Sequence, residues 1–164
     1  MIEAKREVAM LYAVLKALHI LGVVLLVGNA IVTLVWKMAA DRTGSASVIA
    51  FAQQLVTLTD WRFTVGGVVV IMLTGFGAAG IAGIDLLGPR WLVWGEGLLL
   101  LSGALWAFIL VPAQIRQAHQ ARIFAKTGEI PSSYWRDVRR WNRWGLLATT
   151  LLIGAIWVMV AKPA

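Results

Sequence analysis

Four stretches of this chain, at residues 10–36, 63–84, 91–112 and 143–161, are almost continuously apolar. Each is long enough to cross ~30 Å of hydrocarbon at a helical rise of ~1.5 Å per residue. Inside lipid the backbone must satisfy its own hydrogen bonds, which leaves helices or closed barrels. These segments are too long for barrel strands and lack alternation with a period of two, so they read as helices. The fold expected is an all-α membrane protein, a four-transmembrane-helix antiparallel bundle forming one domain over residues 1–164. The first segment does not read as a cleavable signal. It is too long, carries Lys16 and His19, and has no small-residue cleavage site after a short core.

Composition agrees, with 60% hydrophobic and only 14% charged residues. The absence of cysteine excludes disulfides, thiolate zinc sites, iron–sulfur clusters and covalently attached c-type haem. A net charge of +7 would suggest nucleic acid in a soluble chain; here it reads as topology. Four spans place both ends on one side, with Lys5, Arg6, Lys16, Arg90 and Lys162. The other side carries Lys37, Arg42, Arg62, Arg116, Arg122, Lys126, Arg136, Arg139, Arg140 and Arg143. The positive-inside rule then puts the two longer loops in the cytoplasm and the termini outside, in a lipid bilayer expected to be a bacterial inner membrane.

The connections differ in character. Residues 41–47 form a turn-rich link, and the following SVIAFAQQLVTLTDW is an amphipathic extension of the second span. GIDLLGPRW is short and predicts a tight hairpin between the second and third helices. AQIRQAHQARIFAKTG continues the third helix to a stop at Gly128, with Pro131 beyond it, and Ser132 or Ser133 is positioned to cap the last helix.

His19 is the residue that asks for an explanation. Nine residues into its span, it lies ~13 Å from the outer edge, and ionisable groups at that depth face a bundle interior and mark cofactors, proton routes or ion pairs. Neutral imidazole ligates haem iron, and Met72, at a similar depth in the second span, is the candidate second axial ligand. The alternative is a histidine hydrogen-bonded between helices without a cofactor. Lys16 and Glu96 lie at matching depth in odd-numbered spans and are expected to form an intramembrane ion pair.

Three other features each have two readings. The glycines of the second span serve close helix packing, or leave room for a flat macrocycle. Trp135, Trp141 and Trp144 with the neighbouring arginines form an interfacial belt; Arg139 and Arg143, four apart, are also placed to hold haem propionates. Asp60 is available to pair with one of those arginines, whereas His119 lies among solvated residues of the third helix's extension.

The stretch YAVLKALHILGVVLLVGN, with TDWRFT at 59–64, RRWNRWG at 139–145 and MVAKP at 159–163, resembles the integral-membrane proteins of unknown-function family 2269. It is similar at greater distance to the HemJ-type protoporphyrinogen oxidases and CopD-like copper-resistance proteins. The HemJ resemblance implies b-type haem on His19. The lysine that those enzymes carry in the motif W-L-x-x-K is missing here, where Trp91-Leu92-Val93-Trp94-Gly95 puts Gly95 in its place. Protoporphyrinogen oxidase activity is therefore not expected.

Three functions are open on the sequence. The first is a small b-haem protein with a redox or electron-transfer role. The second is a non-catalytic accessory subunit or assembly factor of a larger membrane complex, and a homo-oligomer is compatible with either. The third, a copper-handling protein, is the weakest, because five scattered methionines and one deep histidine make no relay.

Overall fold

The computed structural model describes residues 1–163; Ala164 lies outside the described residues. Four long helices carry the four apolar segments: α1 (Ile2–Arg42), α2 (Ala46–Ala82), α3 (Arg90–Thr127) and α4 (Ser132–Ala161). No strand occurs among the described residues. At ~1.5 Å per residue the 41 residues of α1 extend roughly 60 Å, about twice a bilayer's hydrocarbon thickness. The bundle thus continues beyond the spans at the end that carries the two longer links, here the loop end; the other is the terminal end. Val24, Leu73, Leu100 and Trp157 point outward, each more than half exposed, so the spans present an apolar surface that only lipid covers well.

The punctuation follows local chemistry. Gly83 and Gly128 close their helices with φ of 65° and 78°, a left-handed conformation that costs glycine nothing. The start of α4 departs from expectation. Pro131 occupies the N-cap and no serine side chain caps the helix; Ser133 instead donates to Gln120 Oε1 at 3.1 Å. Proline's fixed φ and extended ψ set the entry, leaving Ser133 free to tie α4 to α3.

Glycines decide the helix pairs. A Cβ on Gly22 would lie 3.1 Å from the carbonyl oxygen of Gly67, and one on Gly67 would lie 3.0 Å from that of Gly22. The backbones of α1 and α2 therefore touch, the arrangement small residues permit between membrane helices. Gly77 receives Leu15 in the same interface. The face offered by Gly67, Gly75 and Gly77 is thus packed against Leu26, His19 and Leu15 of α1. On the other side, Gly95 takes Met159, Gly154 takes Leu98, and Ser102 donates to the Ala148 carbonyl at 3.0 Å, joining α3 to α4.

The tight α2–α3 hairpin is not formed. No Cα of residues 66–82 comes within 8 Å of any Cα of residues 90–105. The small-residue faces of α2 and α3 are already used against α1 and α4, so the short link bridges two separate helix pairs. At the loop end the same helices do meet, α2 through residues 46–59 and α3 through residues 111–127. Between the two regimes each helix contains a π-helical turn, Asp60–Val65 in α2 and Trp106–Leu110 in α3. A π turn inserts a residue into the helical ladder and redirects the axis, and such turns concentrate at functional sites.

The loop end has a dense core of Ile49, Ala50, Ala121, Phe124, Tyr134 and Val138. Inside it Lys37 Nζ lies 2.6 Å from Asp41 Oδ2 and 2.7 Å from Tyr134 Oη, and that hydroxyl donates to Asp41 Oδ1 at 3.0 Å. These buried charges satisfy one another.

Candidate functional site

At the terminal end the gap between the helix pairs is a cavity of about 480 Å³. His19, Lys16, Met72, Glu96, Met159 and Lys162 are among the residues that line it. Its volume falls within the range of small-molecule and cofactor sites.

His19 is positioned by α2. Its Nδ1 lies 3.0 Å from the carbonyl oxygen of Ile71. A carbonyl only accepts, so Nδ1 donates, and in the neutral ring Nε2 then carries the free lone pair. Gly75 makes this approach possible, because a Cβ there would sit 3.0 Å from both Nδ1 and Cε1 of the imidazole. An imidazole whose Nδ1–H is held by a backbone carbonyl is the usual outer-shell arrangement of a metal-ligating histidine. Half-buried and facing the cavity, His19 combines a fixed ring with an available nitrogen.

Several expected relationships take a different form. Lys16 and Glu96 line the same cavity but make no ion pair within 4.0 Å; the ion pairs among the described residues are Lys37–Asp41 and Arg116–Asp137. The reason is helix order. α1 has no Cα within 8 Å of residues 90–105, so the two groups sit on diagonal helices, with Lys16 turned to an exposed face and Glu96 half-buried. Arg139 and Arg143 are exposed near the loop end and do not line the cavity, so they are not placed for propionates on a group at His19. The cations at the cavity are Lys16 and Lys162, the latter 4.8 Å from the ring centroid of Trp91. His119 is exposed at the loop end.

Met72 lines the cavity from α2, next in sequence to Ile71, whose carbonyl holds His19. Met159, which sequence reasoning passed over, lines it from α4. Its Sδ would be 3.1 Å and its Cε 2.5 Å from a Cβ on Gly95. Gly95 is buried against α4, and the space a larger residue would need is taken by Met159. The only early sign was the terminal MVAKP segment. Among the described residues no three His, Cys, Asp or Glu side chains converge as a metal cluster would require. A porphyrin, which needs one or two protein ligands to iron, makes no such demand.

Asp60 does not pair with an arginine. Its Oδ1 accepts from Asn29 Nδ2 at 2.9 Å and from Thr64 Oγ1 at 3.2 Å, and Asn29 Oδ1 accepts from Thr33 at 3.1 Å. This buried polar group lies at the π turn of α2, between the two halves of the bundle.

Residues 13–163 match the model of the family described as predicted integral membrane protein (DUF2269), and the chain belongs to that family. Neither the curated proteins nor the solved structures contain a match to this chain.

Proposed function

We propose that this integral membrane protein binds b-type haem non-covalently in the terminal-end cavity, with His19 as an axial ligand, and serves a redox or electron-transfer role. The observation that carries the reading is the hydrogen bond from His19 Nδ1 to the Ile71 carbonyl, which fixes the ring and leaves Nε2 as the ligating atom. Haem supplies a one-electron couple, and an axial thioether would raise its potential. Met72 and Met159 are the two thioethers in the same cavity. Lys16 and Lys162 are the cations suited to propionates, in place of Arg139 and Arg143. By the positive-inside rule the terminal end would lie outside and the longer loops in the cytoplasm of a bacterial inner-membrane protein.

The test is an absorption spectrum of protein purified after expression with ample haem. A Soret band is expected, lost in His19→Ala and retained in His119→Ala. Replacing Met72 and Met159 singly with leucine identifies the sixth ligand from the reduced-minus-oxidised spectrum. A colourless wild-type preparation would reject the cofactor and bring forward the accessory-subunit reading.

A further inference from the structure

A second cavity, of about 510 Å³, lies deeper between the helix pairs. Leu26, Val68, Leu99 and Leu152 are among its apolar walls; Trp106 and Trp141 add indole rings. Its rim includes Val69, Leu100 and Phe108, each roughly half or more exposed on the outer surface where α2 and α3 part. A molecule dissolved in the bilayer can therefore enter sideways.

The polar end of this cavity is Asp60, 8% exposed. Its Oδ1 accepts hydrogen bonds from Asn29 and Thr64. Trp106 and Gln114 also approach the carboxyl group. Both ion pairs among the described residues lie elsewhere, so Asp60 has no cation of the protein beside it. A buried carboxylate without a counter-charge is costly, and a cation entering the cavity would supply one.

We infer that this cavity binds a lipophilic organic cation, its charge held by Asp60 and its apolar body by the aromatic and aliphatic walls between α2 and α3. The carboxylate provides the counter-ion in a low-dielectric setting. Trp106 and Trp141, which line the cavity, offer indole rings for cation–π attraction, which strengthens when the cation is desolvated. A neutral ligand of the same shape would gain only the wall contacts. The site is distinct from the His19 cavity, although the two adjoin through Met72 and Leu99, which line both.

The experiment is titration of the full-length protein in nanodiscs with tetraphenylphosphonium, using neutral triphenylphosphine oxide as the uncharged control. Saturable binding of the cation is expected, at least tenfold tighter than that of the control. Asp60→Asn keeps the shape and most hydrogen bonds of the side chain but removes its charge, and should weaken cation binding at least tenfold. Gly103→Leu gives an independent check, since Gly103 lines the cavity and a Cβ there meets nothing within 4 Å. It should fill the space and lower affinity at least tenfold while leaving the thermal midpoint close to wild type. His19→Ala should bind the cation normally whether or not haem is present, which separates this site from the haem reading. Absence of saturable binding to wild type would overturn the inference, as would wild-type affinity in Asp60→Asn or equal binding of the neutral control.

Discussion

The two ends of this bundle use the same four helices in opposite ways. At the loop end α2 and α3 are in contact, Tyr134 and Phe124 meet edge to face at 5.1 Å, and three polar side chains are buried in mutual contact. At the terminal end the same two helices stand apart, and His19, Lys16 and Glu96 line an open cavity. The change occurs at the level of the two π turns. Over the first twenty residues of α1 only Tyr12, Leu15 and His19 are even partly buried. Water surrounds the loop end and makes apolar burial favourable, whereas lipid is as good a solvent for leucine as another helix is. The terminal end is thus held by backbone fit at Gly22 and Gly67, and its open space is available for binding.

The comparison is easiest to break at the loop end. Lys37→Met should destabilise the protein by about 3–5 kcal/mol, because Asp41 and Tyr134 would be left buried with an uncompensated charge. Changing Lys37 to Met, Asp41 to Leu and Tyr134 to Phe together should recover most of that loss, measured as thermal midpoints in one detergent. Equal losses in the single and triple variants would mean that the charged group does not act as a unit.

Gly67→Leu tests the terminal end's backbone fit. Its side chain must displace α1 backbone, so a loss of roughly 1–3 kcal/mol is expected, with greater cysteine accessibility along the α1–α2 interface. Gly80→Ala, on the same helix with open space around its Cβ position, should be neutral or slightly stabilising. If the two behaved alike, helix propensity and not close approach would explain the glycines.

Removing the His19 imidazole should cost little, on the order of 1 kcal/mol for one half-buried hydrogen bond in cofactor-free protein. A much larger loss in His19→Ala without haem would identify the histidine as a packing element. The smallest effect belongs to Arg116→Ala. Its pair with Asp137 is 2.8 Å long but the arginine is 46% exposed, so about 0–1 kcal/mol is expected, fading with added salt. A salt-independent loss above that range would show that the loop end depends on its surface charges as well as its core.

Much of the architecture was legible along the chain. Apolar length announced the four helices, and the polar extensions of α2 and α3 were read correctly as continuing helix. Gly128 stopped α3 as expected. The site was legible only residue by residue. His19 and Met72 could be placed at similar depth by counting at ~1.5 Å per residue, but depth says nothing about azimuth. For that reason Lys16 and Glu96, which line one cavity, lie on diagonal helices without an ion pair. Arg139 and Arg143, correctly placed on one helical face, lie away from the cavity. Met159 went unnoticed because its relation to Gly95 spans 64 residues and is made by close approach alone.

By itself, then, the amino-acid order determined what each segment must become, since the cost of exposing backbone to lipid and the punctuation by glycine and proline are local matters. Which helices touch, and which part, was decided only in three dimensions. Pairing depends on where the glycines of one helix meet the backbone of another, and those meetings settle at once the hold on His19 and the cavity beside it.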